Sequence, residues 1–373
     1  MIKLFEKSSI NGMKLRNRLV RSATWEGMCD LDGRPTERLA DYYRELAKGG
    51  VGLIISGYTF VLPEGRQLPG QMGINDDGFK PDYLKMTKAV HDAGGRIAIQ
   101  LVHAGGQTDS ANAGRQPLAP SSVKVDQYPE LPAELTLDEI GGIVNAFGDG
   151  ALRAKRWGAD AVQLHGAHGY LINQFLSPHT NLRTDKYGGD IEGRSRFLME
   201  VCSRVRQEVG DDYPVMIKLT ASDNLEGGLS AEDALFAARR LSDAGIDAIE
   251  VSAGTSASGK ETPVRKNILK PANEGFNLDR ALRIRDEVDC PVMVVGGFRS
   301  YDVAERVAST LGIGYISMAR PLIREPDLPN RWLSGDRGPA RCLSCNQCFI
   351  PGIKEGGIYC VTERKEGDKE RAK

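Results

Sequence analysis

The chain has 373 residues, of which 40% are hydrophobic and 27% are charged, and its formal net charge is −1. This composition is typical of a folded globular protein and excludes a disordered, collagenous or membrane-spanning chain. The balance of 49 basic and 50 acidic residues argues against nucleic acid or an anionic membrane surface as a partner. We identify no signal peptide and no apolar run of membrane-spanning length, and therefore expect a cytoplasmic protein.

Short runs rich in β-branched residues recur along the chain and predict eight strands. Most are continuously apolar, as expected for parallel strands that are covered on both faces. The predicted strands are Arg18–Ala23, Val51–Ser56, Arg96–Leu101, Ala161–His165, Val215–Leu219, Ala248–Ser252, Val292–Gly296 and Tyr315–Met318.

Between the strands, apolar residues recur with a period near 3.6 and predict amphipathic helices. The clearest are Glu37–Lys48, Phe79–Ala93, Leu137–Gly158 and Ser230–Ala244. Thr136 and Glu139 form a capping-box pattern at the start of the third.

Strands that alternate with helices eight times predict a (β/α)8 TIM barrel of the α/β class. A doubly wound open sheet is the alternative, which is less favoured because no G-x-G-x-x-G follows the first strand. Residues 1–17 are predicted to form a short N-terminal hairpin at the bottom of the barrel. We place the barrel domain at residues 1–335 and a Cys-rich extension at 336–373, with a solvated charged tail over 361–373.

In a TIM barrel the functional site lies at the carboxyl ends of the strands. The polar residues that fall there include Gln100, His165, His168, Tyr170, Lys218 and Arg320. Lys218 lies in an apolar strand and needs a partner, because burying an unpaired ammonium group is unfavourable, and an anionic ligand group would serve. Gly297 and Ala319–Arg320 follow the last two strands, where these barrels frequently bind phosphate.

Three interpretations of His165 and His168 remain open from the residues alone. They are packed structural side chains, metal ligands, or hydrogen-bond donors to a substrate oxygen. A catalytic zinc usually needs a third protein ligand, and no H-E-x-x-H motif is present.

Four of the seven cysteines lie close together near the C-terminus, at Cys342, Cys345, Cys348 and Cys360. Four thiolates at this spacing suit a [4Fe–4S] cluster or a structural zinc ion, and free thiols are the third possibility.

A resemblance to a known family is carried by residues 165–189, His-Gly-Ala-His-Gly-Tyr and onward to Tyr-Gly-Gly. Together with Leu15–Val20, Gln100–Gly105 and Ser317–Pro321, this stretch resembles the Old Yellow Enzyme family of FMN-dependent oxidoreductases, over residues 1–335. The last motif and the cysteine spacing are most similar to 2,4-dienoyl-CoA reductase and trimethylamine dehydrogenase.

The resemblance implies that FMN binds at the barrel mouth. Residues that match the family's flavin contacts are Ser22, Ala23, Thr24, Trp25, Gly57, Tyr58, Gln100, Lys218, Gly297, Ala319 and Arg320. It also implies that His165 and His168 bind the substrate carbonyl oxygen and that Tyr170 donates a proton to the α-carbon. The four cysteines match the [4Fe–4S] motif of these relatives.

The function implied is reduction of an activated carbon–carbon double bond in a small molecule. The electrons would come from NAD(P)H or from an electron-transfer protein. One alternative is an FMN amine dehydrogenase or demethylase of the trimethylamine dehydrogenase type. Another is a flavin-free lyase or aldolase that uses Lys218 as a Schiff base. We also expect a homo-oligomer.

Overall fold

The computed structural model describes residues 3–371. Its strands are β1 Ser8–Ile10, β2 Met13–Leu15, β3 Leu19–Arg21, β4 Leu53–Ile55, β5 Thr59–Phe60, β6 Ile97–Val102, β7 Leu118–Ala119, β8 Ala133–Glu134, β9 Ala161–Gly166, β10 Val215–Thr220, β11 Ala248–Ser252, β12 Val292–Val295 and β13 Tyr315–Met318. β3, β4, β6 and β9 to β13 are parallel neighbours, and β13 pairs with β3. This closure confirms the predicted TIM barrel and excludes the open sheet.

Helices connect the strands and surround the barrel. They are α1 Glu37–Lys48, α2 Lys80–Asp92, α3 Ser110–Ala113, α4 Leu137–Arg156, α5 Leu171–Leu176, α6 Ile191–Val209, α7 Ala231–Asp243, α8 Leu278–Arg285, α9 Tyr301–Ser309, α10 Arg320–Arg324, α11 Leu328–Leu333, α12 Phe349–Glu355 and α13 Val361–Arg371. The predicted capping box of Thr136 and Glu139 is present at α4. Within residues 3–371, no helix combines the length and the apolar character needed to cross a membrane.

The N-terminal hairpin covers one end of the barrel, as predicted. β1 and β2 pair antiparallel, and Ile10, Met13 and Leu15 pack against apolar side chains of the barrel interior. Tyr315 donates a hydrogen bond from its hydroxyl to the Ser9 carbonyl oxygen at 3.2 Å. The hairpin therefore covers the interior of the barrel at this end.

The barrel interior changes from apolar to polar along its axis. Successive residues of a strand point to opposite faces, so every second residue reaches the interior. Next to the hairpin the interior is formed by residues such as Ala98, Ala161, Met216 and Ala248. Two residues further along the same strands lie Gln100, Gln163, Lys218 and Glu250. The sequence thus builds a polar layer beneath the carboxyl ends of the strands.

The Cys-rich extension packs on the barrel. Ala340 is fully buried; its N–H donates to the Arg299 carbonyl oxygen at 2.7 Å, and its carbonyl oxygen accepts from the Arg299 guanidinium. The Ile358 N–H donates to the Glu26 carbonyl oxygen at 2.9 Å. Gly352 of α12 lies so close to Trp25 that a Cβ there would come within 2.6 Å of the indole ring. The extension therefore covers the loop that follows β3.

The segment 361–373, predicted as a solvated charged tail, forms α13 over residues 361–371, and the residues of this helix whose burial is described are exposed or half-buried. Glu, Lys and Arg, which dominate this segment, are good helix formers. Arg324, which is mostly buried, also pairs with Glu366 of this helix at 2.5 Å and ties it to the barrel. Residues 372 and 373 lie outside the described part of the chain.

Candidate active site

A cavity of about 340 Å³ opens at the carboxyl ends of the barrel strands, within the size range of small-molecule sites. Phe349 and Ile353 of α12 form part of its wall. Most of the residues predicted from the sequence line this cavity, namely Ser22, Ala23, Thr24, Trp25, Tyr58, His165, His168, Tyr170, Lys218, Gly297, Ala319 and Arg320. Gly57 and Gln100 do not line it.

The loop that carries Ser22–Trp25 is held by a buried ion pair. Arg21 and Glu26 approach to 2.6 Å, with side chains that are 1% and 6% exposed. Glu26 also accepts hydrogen bonds from the Gly57 N–H at 3.1 Å and from the Tyr43 hydroxyl at 2.7 Å. The hydrogen bond from Gly57 to Glu26 therefore connects the loop after β4 to the loop after β3. Gly57 itself lies behind the cavity wall and does not face the cavity.

Lys218 has a partner that the sequence analysis did not identify. Its Nζ lies 3.4 Å from a carboxylate oxygen of Glu250, and both side chains are almost completely buried. Nζ also donates to the Ser22 hydroxyl at 2.8 Å, and that hydroxyl donates to Glu250 at 2.6 Å. Burial lowers the pKa of Lys218, and the neighbouring carboxylate opposes this shift. The protein itself thus supplies the anion expected from a ligand.

Gln100 continues the same polar layer beneath the cavity. Its Nε2 donates to Gln163 at 2.6 Å, and Gln163 in turn donates to Glu250 at 2.9 Å. The amide oxygen of Gln100 is buried and has no hydrogen-bond partner among residues 3–371. An unpaired buried acceptor is unfavourable, which makes this oxygen a natural partner for a ligand N–H group.

His165 and His168 lie together on one side of the cavity, with ring centroids 5.3 Å apart. His168 has a left-handed backbone, with φ of 64°, and its N–H donates to the Thr220 hydroxyl at 2.9 Å. Its Nε2 is 2.7 Å from the Ser252 hydroxyl, while Nδ1 of His165 has no partner among the described residues. The Ser252 hydroxyl therefore holds the ring of His168, and each of the two rings keeps a nitrogen that has no hydrogen bond to residues 3–371.

Both imidazoles are neutral near pH 7. Burial lowers the pKa of His168 to about 3, and it lowers the pKa of His165 well below the ordinary value, with the charge of Lys218 contributing in each case. A neutral imidazole offers one N–H donor and one acceptor. The pair can hydrogen-bond to a substrate oxygen without carrying a positive charge.

Tyr170 lies beside the histidines, with its ring centroid 4.6 Å from that of His165. Its hydroxyl donates to the amide oxygen of Gln67 at 2.7 Å, and the Tyr58 hydroxyl donates to the same oxygen at 2.7 Å. Burial raises the pKa of Tyr170 well above 10. The phenol is therefore protonated throughout the physiological range and faces the cavity as an acid.

Arg320 reaches from the cavity to the Cys-rich extension. Its guanidinium donates to the Arg265 carbonyl oxygen at 2.8 Å and to the side chain of Asn346, which lies between Cys345 and Cys348. The side chain predicted to bind phosphate is therefore also held in place by the extension.

The four C-terminal cysteines are free thiols. Cys342 accepts a hydrogen bond from the Ser344 N–H at 3.4 Å, and burial raises the pKa of Cys348 to about 12. Within the described ranges, no three His, Cys, Asp or Glu side chains are grouped so that they could hold a metal ion. Neither a cluster on the thiols nor a metal site on the histidines is shown by the described residues.

The buried histidines predict a loss of stability in acid. The unfolded chain takes up protons on histidine below pH about 6.5, whereas folded His103 and His168 do so only near pH 3. Between these values each such group costs about 1.4 kcal/mol of unfolding free energy per pH unit as the pH falls. Urea unfolding at pH 7 and pH 5.5 measures this slope. The H168Q variant is expected to have a shallower slope, and an unchanged slope would contradict the assignment.

Several residues of the site were not predicted, namely Gln67, Gln163, Glu250, Ser252, Phe349 and Ile353. A signal existed for Glu250, because it lies two residues after interior Ala248 just as Lys218 lies two residues after interior Met216. Gln67 lies in a loop, where no periodic pattern marks it.

The sequence is similar to those of known flavin oxidoreductases. A family model described as the NADH:flavin oxidoreductase / NADH oxidase family matches residues 3–336. An NADH oxidase from Thermoanaerobacter brockii is 37% identical over 354 residues, which cover 94% of this chain and 54% of the relative. A metal reductase from Desulforamulus reducens is 34% identical over 366 residues, covering 98% and 54%. The chain thus spans about half the length of these curated relatives.

Solved structures show the same architecture. A 2-naphthoyl-CoA reductase in complex with 2-naphthoyl-CoA superposes with a TM-score of 0.89 at 29% identity, covering 97% of this chain and 56% of that one. A morphinone reductase in complex with tetrahydroNAD superposes with a TM-score of 0.77 at 29% identity, covering 90% and 91%.

Proposed function

Because this chain belongs to the NADH:flavin oxidoreductase / NADH oxidase family of FMN-dependent oxidoreductases, we propose that it binds FMN in the barrel cavity and reduces an activated carbon–carbon double bond with electrons from NAD(P)H. The observation that carries the proposal is one wall of the cavity, where two neutral histidines and a protonated tyrosine lie side by side. This wall can polarise an oxygen and protonate a carbon without changing the charge of either imidazole.

The residues around the cavity fit FMN. The unpaired oxygen of Gln100 and the ammonium group of Lys218 offer an acceptor and a donor to the polar edge of a flavin ring. Arg320 and Gly297 would hold the phosphate, since a guanidinium forms charge-assisted hydrogen bonds with phosphate oxygens. When bound, FMN supplies the two-electron carrier that links NAD(P)H oxidation to substrate reduction.

The histidine pair binds the substrate oxygen. His165 and His168 donate hydrogen bonds to the carbonyl oxygen, which draws electron density from the conjugated double bond and makes the β-carbon accept hydride. Because Nε2 of His168 is already 2.7 Å from the Ser252 hydroxyl, Ser252 fixes the orientation of that ring.

Tyr170 completes the addition. Its O–H bond breaks, the proton forms the new C–H bond at the α-carbon, and the electron pair of the O–H bond stays on the phenolate oxygen. Solvent then restores the phenol proton. The position of Tyr170 next to His165 supports this role, because an acid must lie within reach of the reacting carbon.

Two of the structural neighbours support this choice. They are reductases, one in complex with an aromatic CoA thioester and one with a nicotinamide analogue. The aldolase alternative finds less support, because Lys218 is paired with Glu250 and hydrogen-bonded to Ser22.

A [4Fe–4S] cluster on Cys342, Cys345, Cys348 and Cys360 stays a prediction of the sequence. No step of the proposed reaction depends on it. The electron-transfer protein, the homo-oligomer and the cytoplasmic location also stay predictions.

An anaerobic absorbance titration tests the function. The purified protein is expected to show the flavin bands, to bleach with NADH or NADPH, and to recover its colour when cyclohexenone is added. Iron and sulfide analysis of the same sample tests the cluster. Bleaching by a tertiary amine without NAD(P)H would instead support an amine dehydrogenase, and a preparation that retains no flavin would contradict both.

A further inference from the structure

We propose that Gln67 is a positioning residue, which holds the hydroxyl of Tyr170 ready for proton transfer. This inference rests on the proposed function, because it concerns the same acid. Gln67 lies in the loop after β5, and the residue is 9% exposed. It does not belong to the cavity wall, and it is hydrogen-bonded to the wall residues Tyr58 and Tyr170.

The amide group of Gln67 is bonded at both ends. Its oxygen accepts the hydroxyl protons of Tyr58 and Tyr170, each at 2.7 Å, which uses both lone pairs of that oxygen. Its nitrogen donates to the hydroxyl of Tyr128 at 2.6 Å. These three bonds fix the amide and, with it, the position of the Tyr170 oxygen. The O–H bond then turns from Gln67 towards the substrate when the proton is transferred.

Hydrogen bonds within the protein hold the loop that carries Gln67. The Gln67 N–H donates to the side-chain oxygen of Gln71 at 2.7 Å. Gln71 donates from Nε2 to the Tyr58 carbonyl oxygen at 3.1 Å, which ties the loop to the segment after β4. Hydrogen bonds thus hold both the backbone and the side chain of Gln67. Little conformational freedom is therefore lost when Tyr170 reacts.

The arrangement also prepares for the charge that the reaction creates. When Tyr170 loses its proton, its oxygen becomes a phenolate in a buried place, which is unfavourable without a donor. The hydroxyl of Tyr58 lies beside it, since both hydroxyls bond to one oxygen of Gln67. Tyr58 can turn its proton from the amide to the phenolate, and Gln67 keeps the two hydroxyls adjacent.

A double-mutant cycle with Tyr170 tests this role. Q67M has a side chain of similar length that accepts hydrogen bonds only weakly and donates none. We expect Q67M to slow the cyclohexenone half-reaction of the holoenzyme about 10-fold, the effect of losing one hydrogen bond. Flavin reduction by NAD(P)H should change less than twofold. In the Y170F background, Q67M should cause no further slowing.

Two further measurements separate positioning from structure. The solvent deuterium isotope effect on the half-reaction should increase in Q67M, because proton transfer then limits the rate more strongly. Q116L, which changes an exposed glutamine in the neighbouring loop, should behave as the wild type. If Q67M does not retain flavin, Q67L is measured in its place.

The outcomes distinguish the two proposals. Equal slowing by Q67M in the wild-type and Y170F backgrounds would overturn the positioning role while leaving Tyr170 as the acid, and so would an unchanged rate in Q67M. If Y170F itself does not slow the half-reaction, the proton donor of the proposed function is wrong and Gln67 has no acid to position.

Discussion

Replacing Tyr170 with phenylalanine is expected to slow reoxidation of the reduced protein by cyclohexenone about 10²- to 10⁴-fold, the usual contribution of a positioned general acid. The substitution removes the only group of the Tyr170 side chain that carries a transferable proton and leaves the ring in place. Because the ring packs edge-on against His165, the cavity should keep its shape. Stopped-flow absorbance under anaerobic conditions separates this step from flavin reduction, which we expect to stay within twofold of wild type.

A second buried tyrosine provides the control for Y170F. Tyr315 is 1% exposed and donates its hydroxyl to the Ser9 carbonyl oxygen at the opposite end of the barrel. Y315F removes a phenol hydroxyl of similar burial, far from the cavity, and should leave both half-reactions unchanged. Equal slowing in Y170F and Y315F would mean that loss of a buried hydroxyl, and not loss of the acid, explains the effect.

The fold could be predicted because its signals are local. Each barrel strand is covered on both faces, so each appears in the sequence as a short apolar run between turns. The caps of the helices are equally local, since Thr136 and Glu139 are three residues apart. Polar residues at the ends of such runs then marked the cavity, since strand ends converge in a barrel.

The contacts that were missed connect residues far apart in the sequence. Gln67 and Tyr170 are separated by 103 positions, and Ser22 and Glu250 by 228. Neither contact follows from periodicity, because it depends on which loops the closed barrel brings together. Lys218 is an example. Its position in an apolar strand predicted that it needs a negatively charged partner, but not that Glu250 is that partner.

The helix at 361–371 was not predicted for a different reason. Its high charge predicted a solvated segment, and its residues are exposed or half-buried where described, but charge alone does not decide between coil and helix. The segment consists largely of residues with good helix propensity, and a buried arginine of the barrel holds Glu366. A rule based on composition could not include that contact.

The E250Q variant is expected to lose about 3–5 kcal/mol of unfolding free energy at pH 7, because it leaves the buried ammonium group of Lys218 without its counter-charge. Urea unfolding of flavin-free protein measures the loss without a contribution from ligand binding. Removing Glu250 lowers the pKa of Lys218 further, so the folded protein holds fewer protons than the unfolded chain up to pH about 10.4. The loss should therefore shrink as the pH rises from 7 to 9.

Two control variants show whether the loss of stability in E250Q comes from the buried charge of Lys218. E45Q breaks an exposed pair, since Glu45 lies 2.8 Å from Lys48 and both side chains are 58% exposed. Such a pair contributes at most about 1 kcal/mol, so E45Q should be nearly neutral. The double variant K218M/E250Q removes both charges and should recover most of the stability lost in E250Q, because no unpaired ion then remains in the barrel. A double variant no more stable than E250Q would mean that Glu250 stabilises the barrel through Ser22 and Gln163, and not through Lys218.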